Sequence, residues 1–485
     1  MEEINTNNTN SFDFSKMWFA SVADKITLRD QNNNVSTPTF NKYTKSDIID
    51  YLKDPYKNEK KIRDAVIYMY GASPIFMRIV QYFASLNDFS YILTLDNVDT
   101  ANENIDTLRE DRLKCAKLFA SLGAGNQLRD ILVTCFREDV FYATSYLEDD
   151  KIVLQKLPSD HCSITTIQDN VMNVTFDFSY FNGQKNALLD YYPKEFKTKY
   201  DAYLKDRRNK RYQELDVPNS FAIKANRDIL DYALPPLIGV MTSLYDLADY
   251  QELQLTKTEL DNYALLVMKL AFSNGGYELP EVQSKGFFKN LANVLPQQVG
   301  AVLSPMPIEK IDFGDDTADR TAEVENAENS IFTAAGVSSL LFNNPKASSN
   351  ALLLSIKADQ ALTYGVVQSI ADALNRILKS YNFGEKFKIK FLDSSRFNRD
   401  ELANQYSKGF QYGIPTISMY CSVLGLAPED IDGMNYMEND VLGLIDKFRP
   451  LSSSNTQSSA TEAVGRPEAT IGNISDEGEE GQEKK

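Results

Sequence analysis

Hydrophobic positions change their period several times along this chain, and those changes divide it before any chemistry is considered. Residues 1 to 44 are rich in Asn, Thr and Ser, interrupted by Met17-Trp18-Phe19-Ala20, which carries the only tryptophan. This stretch reads as a polar arm with one apolar docking point, because buried aromatics dominate core and interface energetics. From Thr44 to about Leu86 the spacing is helical. Ser46 is a candidate cap, Ile48, Ile49 and Leu52 share a face, and Ala65, Ile67, Met69 and Tyr70 continue after a break. Further helices are expected near 102 to 126. Then the period shortens: Leu132 to Tyr146, Lys151 to Leu157, Ser163 to Ile167 and Met172 to Phe178 are rich in β-branched and aromatic residues. Glu148-Asp149-Asp150, Pro158-Ser159-Asp160 and Asn182-Gly183 bound them, and together they predict a small β-rich module.

A helix with a basic end is expected from Gln184 to about Tyr212. Pro235-Pro236 opens a long helix through Leu237, Val240, Met241, Leu244 and Leu247 to about Asn262, proline being tolerated in a first turn. A compact αβ insertion follows. Ala264 to Phe272 reads as a strand ending at Asn274-Gly275-Gly276, Phe287 to Val294 as a short helix, and Gly300 to Ile311 as a strand whose prolines suit an edge. Asp315 to Gly336 returns to helix with acids at its start, where the helix dipole favours them. Val337 to Asn350, containing Phe342-Asn343-Asn344-Pro345-Lys346-Ala347-Ser348-Ser349, has no periodicity and predicts a loop.

The strongest helical pattern comes next. Leu352, Ile356, Leu362, Val366, Ile370, Leu374, Ile377 and Tyr381 predict a rod roughly 45 Å long at 1.5 Å per residue. Phe387 to Leu392 alternates as a strand, and Arg399 to Leu444 gives short helices separated by Gly413-Ile414-Pro415 and Ala427-Pro428. The tail from Leu451 to Lys485 is Ser/Thr/Gly-rich and then acidic, and is expected to be mobile. No repeat of solenoid type appears. The sum is a mainly helical α+β chain.

With 485 residues the chain is long enough for about three structural units, and its 43% hydrophobic and 25% charged residues are those of a globular protein. The net charge of −17 changes the picture, because such a field repels a phosphate backbone unless basic residues gather locally. Met1-Glu2-Glu3 lacks the basic and apolar regions of a secretory signal. Tyr232 to Tyr245 is too short to span a bilayer and carries two prolines, so no membrane partner is expected. Cys115, Cys135, Cys162 and Cys421 have no metal or disulfide spacing and read as buried thiols.

Chemistry is mostly missing. There is no phosphate-binding loop, and Gly123-Ala124-Gly125 lacks the third glycine of a dinucleotide fingerprint. In Asp430-Ile431-Asp432-Gly433 the glycine falls at position four, not the sixth that a calcium loop requires. Asp312, Asp315, Asp316 and Asp319 straddle a helix start, where acids cap. His161, the single histidine, has no nucleophile elbow nearby and reads as structural. No cofactor, metal site or catalytic residue is expected. The run Lys205-Asp206-Arg207-Arg208-Asn209-Lys210-Arg211 suits either an anionic partner or a solvated helix end.

The informative feature is a pair of acidic helices flanking the insertion. Leu244 to Asn262 carries Asp246, Asp249, Glu252, Glu259 and Asp261 against Lys257, a net of −4. Asp315 to Gly336 carries Asp315, Asp316, Asp319, Glu323, Glu325 and Glu328 against Arg320, a net of −5. Two acidic helices around an insertion, then an irregular loop and a long rod, suggest a radial, elongated subunit.

This order of elements resembles the portal proteins of tailed bacteriophages, the head-tail connectors through which double-stranded DNA enters and leaves the capsid. The resemblance is carried by Asn290-Leu291-Ala292-Asn293-Val294-Leu295, by Phe332-Thr333-Ala334-Ala335-Gly336-Val337-Ser338, by Ser349-Asn350-Ala351 with the helix after it, and by the strand-rich Arg137 to Phe181 region. Gly465-Arg466-Pro467 and Asp476-Glu477-Gly478-Glu479 in the tail look similar too. It implies a portal fold of wing, stem, clip and crown, assembled as a ring, most often a dodecamer, around a central channel. On this chain it implies an N-terminal arm at 1–44, a wing at 45–232, a first stem helix at 233–262 and a clip at 263–312. A second stem helix would lie at 313–337, a tunnel loop at 338–349, a long wing or crown helix at 350–382, a C-terminal wing or crown region at 383–450 and an acidic tail at 451–485.

Asp246, Asp249, Glu252, Glu323, Glu325 and Glu328 would then line the channel. Phe342, Asn343, Asn344 and Lys346 would approach the DNA without base readout, and Gly275, Tyr277, Phe287 and Lys289 in the clip would meet the terminase large subunit or head-tail adaptor proteins. Major capsid and scaffold proteins would contact the wing, in the virion and, during assembly, in the host cytoplasm. The loop departs from a strongly basic DNA grip in being Asn-rich. Two alternatives stay open: another ring-forming virion structural or adaptor protein, and a carboxylate-dependent hydrolase built on Glu148-Asp149-Asp150.

Overall fold

Thr44 opens the first helix of the computed structural model, which describes residues 42–96, 98, 103–122, 124–148, 151–261, 264–269, 272–273, 276–277, 299–304, 320–338 and 349–447. Its hydroxyl accepts from the Asp47 amide while Asp47 accepts from the Thr44 amide (2.8 Å), a reciprocal box that places the cap two residues before the expected Ser46. Helix α1 (Lys45–Leu52) is followed by α2 (Pro55–Ala72) and α3 (Pro74–Ala84), each begun by a proline behind a capping Asp54 or Ser73.

Helix α4 (Ile105–Ala120) and α5 (Ala124–Glu138) complete a helical layer. The strand expected from Leu132 does not begin there. Leu128, Ile131, Leu132, Cys135 and Phe136 are all buried at three- and four-residue spacing, so the chain stays helical through Glu138. The strand β2 (Val140–Glu148) starts only after Asp139, whose φ of 74° breaks the helix.

Strands β3 (Lys151–Lys156), β4 (Cys162–Gln168), β5 (Val171–Asp177), β6 (Tyr212–Glu214) and β7 (Ser220–Lys224) join β2 in an antiparallel sheet of order β3-β2-β7-β5-β4, with β6 on β5. Alternation sends side chains to two cores. Phe141, Ala143, Phe221 and Ile223 enter the large core shared with the helices, whereas Val140, Tyr142, Met172, Val174, Phe176 and Ala222 enter a second one. Phe178, Tyr180, Phe181, Phe196, Tyr200 and Tyr203 close that second core, largely edge to face, as in Phe176–Phe178 with centroids 5.2 Å apart at 72°.

The single helix expected from Gln184 to Tyr212 does not form either. Gly183–Tyr191 is a 3-10 stretch, α6 spans Lys194–Lys205, and Tyr212 belongs to β6. Pro193 has no amide with which to continue a helix, and Tyr212 pairs with Asp177 on the sheet.

Helix α7 (Ile238–Asp261) begins just past Pro235-Pro236 and packs against α8 (Arg320–Ala335). Between them β8 (Ala264–Lys269) and β11 (Val299–Ser304) pair in parallel, and β9 (Phe272–Ser273) pairs with β10 (Gly276–Tyr277). Helix α9 (Ser349–Lys379), 31 residues, packs on α3, α5, β5, β7 and β12 (Phe387–Phe391). Strand β12 pairs antiparallel with β1 (Tyr91–Leu95), so Tyr91 faces Phe391 across most of the sequence.

Helices α10 (Arg399–Gln411), α11 (Ile417–Val423) and α12 (Pro428–Tyr436) follow. The chain divides into two compact units, Met1–Glu429 and Asp430–Lys485; the second holds the rest of α12, a π turn (Met437–Val441) and α13 (Leu444–Lys447). The architecture is mainly helical α+β. Trp18 with most of the expected arm, the helix at Phe287–Val294 and the tail lie outside the described residues.

Candidate functional site

The approach to α7 is built first, from a buried ion pair. Asp139 is 0% and Lys224 1% exposed, and Lys224 donates to the Asp139 carboxylate and to the Tyr232 carbonyl (2.8 Å). The same carboxylate accepts from the Asn226 amide (2.8 Å) and the Leu234 amide (2.9 Å). Burial pushes the Asp139 carboxyl above its ordinary value, and the ammonium and the two amides oppose that push. One carboxylate thus organises the strand end at 224–226 and the chain entering Pro235-Pro236. The left-handed backbone of Asp139, costly by about 1–3 kcal/mol outside glycine, is held by the helix end, the strand and this network together.

From that anchor α7 lays Val240, Met241, Leu244, Tyr245 and Leu247 into the large core. The Tyr245 hydroxyl donates to the Tyr43 carbonyl (2.7 Å), and burial pushes its pKa up to about 12. Helix α8 contributes Ala327, Ile331, Phe332 and Ala335. It stops at Gly336 (φ +70°), where the Gly336 amide reaches the Thr333 carbonyl (3.1 Å) and the Val337 amide the Phe332 carbonyl (3.0 Å). This is a Schellman closure that buries Val337 beside Phe332. The helix therefore ends where the sequence pattern loses its period.

The six acids expected on these helices do not share one environment. Asp249 and Glu325 are exposed, Asp246 is ion-paired with Lys45 of α1, and Glu328 is half-buried. Glu328 lines a cleft of about 310 Å³ with Pro74, Ile75, Arg78, Ile79, Ile331 and Phe332. The side chains of Glu252, Glu323 and Tyr277 lie outside what the structure describes, as do residues Gly275, Phe287, Lys289, Phe342, Asn343, Asn344 and Lys346. Lys45 was not legible as a partner, since it lies 201 residues from Asp246.

Helix α9, 31 residues, is the longest of the described helices. Its buried face carries polar groups with specific partners. The Asn375 side chain donates to the Ile389 carbonyl (3.0 Å) and accepts from its amide (2.7 Å), acting as an extra strand residue against β12. Gln360 reaches Asp393 (2.6 Å), and Arg376 reaches Asn173 (2.7 Å) on β5. Burial lowers the Arg376 pKa to about 10. On the other side Leu354 is 69% and Leu362 67% exposed. Lys357 pairs with Glu401 (2.7 Å), setting α10 beside this half of α9, and the turn after α10 exposes Tyr412 (84%), Ile414 and Ile417.

His161 sits in a 3-10 turn with Nδ1 3.7 Å from the Asp177 carboxylate and its ring edge-on to Tyr180; burial, ahead of the opposing Asp177 charge, holds it below its ordinary value. Burial raises the thiols of Cys115, to about 12, and of Cys135 and Cys162. Asp430 to Gly433 is helical, within α12. Glu148 closes β2, while Asp149 and Asp150 lie outside the described residues. Among the described residues no cluster of three metal-binding side chains occurs, and no helix is long and apolar enough to cross a membrane.

No family model matches the sequence, and no curated relative does. Several solved structures are similar. A chain from the virion of a native gene transfer agent particle shares 15% identity at a TM-score of 0.41, covering 74% of this chain and 94% of that one. A chain from the neck of the empty particle, computed with C6 symmetry, gives 15% and 0.39 over 74% and 94%. One from the neck of the native particle, computed with C12 symmetry, gives 15% and 0.41 over 72% and 93%.

Proposed function

We propose that this chain is a portal protein of the tailed-phage type, a non-enzymatic structural subunit that assembles as a ring, most often of twelve copies, around a channel for double-stranded DNA. The observation that carries this reading is the α7–α8 pair. Both helices are rooted in one core, they bracket the 262–319 insertion, and they leave Asp249 and Glu325 exposed. Repeated around an axis, such acids would face a polyanion with like charge. Screening extends over about 8 Å at physiological salt, so phosphates passing closer than that would find no fixed contact and the duplex would slide.

The exposed apolar side chains of α9, α10 and α11 favour assembly, because a solitary chain would hold them in water. On this reading the insertion meets the terminase large subunit during packaging and head-tail adaptors afterwards, and major capsid and scaffold proteins meet the outer surface, in the host cytoplasm during assembly and at one capsid vertex of the virion. No cofactor is needed. Negative-stain microscopy of the purified full chain tests it: closed rings with a central bore are expected, and a preparation that stays monomeric at micromolar concentration overturns it.

A further inference from the structure

The turn that follows α6 carries an arrangement the channel reading leaves unused. Lys205, Arg207, Arg208 and Lys210 are all exposed, and none of the four takes part in an ion pair among the described residues of a chain whose net charge is −17. The backbone beneath them is fixed. The Asp206 carboxylate accepts from the Asn209 amide (3.1 Å) and its side-chain nitrogen (2.9 Å), and the Lys210 amide reaches the Asp206 carbonyl (3.0 Å). Gln213 Nε2 donates to the carbonyls of Lys199 and Lys210, both at 2.8 Å. Arg211 is held on Asp177 through Nε (3.0 Å) and Nη2 (2.8 Å), a two-pronged contact that ties the turn to the aromatic core through Phe178. Asp206 and Arg211 therefore build the turn, and the other four charges are displayed.

Two apolar side chains, Leu204 (44% exposed) and Tyr212 (60% exposed), flank these cations. We propose that this turn is a docking site for an acidic polypeptide segment that also carries apolar side chains, contributed by a partner protein. The charge selects an anion. Leu204, beside the cations, favours a polypeptide over a phosphate backbone, which offers charge along its whole edge and nothing apolar beside it. A rigid, pre-formed turn keeps the ordering cost of such a contact low. This inference stands independently of the ring, since it concerns one face of one subunit.

The test uses the full chain and two probes in low-salt buffer: a fluorescein-labelled peptide alternating Glu and Leu, and a labelled 20-base-pair duplex. Saturable peptide binding is expected, reduced at least tenfold by Arg207→Glu/Arg208→Glu and separately by Lys205→Glu/Lys210→Glu, and reduced several-fold when Ser replaces Leu in the peptide. Because these four side chains are exposed, both variants should keep the parent's thermal melting profile, so the comparison is between folded proteins. Unchanged peptide binding in either folded variant overturns the assignment, as does a Ser peptide that binds as well as the Leu peptide. Duplex binding that falls tenfold alongside, or instead of, peptide binding assigns the turn to nucleic acid and also overturns it.

Discussion

The second core, around the β-rich sheet, and the α7–α8 pair handle charge in opposite ways. In the sheet region Asp139, Asp177 and Lys224 are buried and each meets a specific partner. Of the described acids on α7 and α8, Asp249 and Glu325 stand in water, Asp246 is balanced by Lys45 and Glu328 lines a cleft. A buried charge is tolerated only where geometry supplies donors, so it makes a fold specific but intolerant of change. A solvated charge costs little to keep and little to replace, which leaves it available to shape an electric field. The contrast separates residues that hold the chain together from those that, on the proposed function, would act on the DNA passing it.

The sharpest way to break the comparison is Lys224→Ala, which leaves Asp139 charged and buried without its ammonium. A loss of about 3–5 kcal/mol is expected, read as a lowered denaturation midpoint with early loss of the sheet signal; a change below 1 kcal/mol would mean that the pair does not anchor the entry to α7. A smaller effect tests Asp177. Burial raises this carboxyl, but bonds from Arg211 and Ser179 outweigh that and hold it at about 2, below its ordinary 3.8. A depressed carboxyl contributes stability that is complete above about pH 4 and disappears as pH falls toward 2. Arg211→Ala should therefore lower stability at pH 7 by less than Lys224→Ala does, because Arg211 is exposed and its pair is screened by water, and should flatten the acid limb of the stability profile. An unchanged acid limb would refute the assignment.

The smallest expected effect on stability sharpens the other side. Asp249→Lys with Glu325→Lys should move stability by less than about 0.5 kcal/mol per site, as exposed substitutions do. If rings form, they should still form, while DNA packaging by the variant falls. Normal packaging in that variant would remove the electrostatic part of the proposed function. A large stability loss would show that the two regions do not differ in the way described.

Much of the fold was legible where a strong period met a clear stop. The rod at α9, the helix behind Pro235-Pro236, the strands β3 to β5 and the end of α8 at Gly336 all follow from local patterning and turn chemistry. The failures have local causes as well. At 132–138 the β-branched and aromatic composition suggested a strand, and burial on one helical face prevailed. At 184–212 the basic composition hid Pro193 and the short pairing of Tyr212 with Asp177. The candidate site was legible only as a list of acids.

Sequence alone determined the alternation of helix, sheet and insertion, the absence of familiar catalytic motifs and the surplus of negative charge, because each depends on residues close together in the chain or on a simple sum. Tertiary structure decided which acids keep their charge in water, which cations are left over, and that Asp139 and Lys224, 85 positions apart, meet in the dry interior. Pairing of that kind depends on distances through space, and a linear pattern does not encode them until the chain has closed on itself.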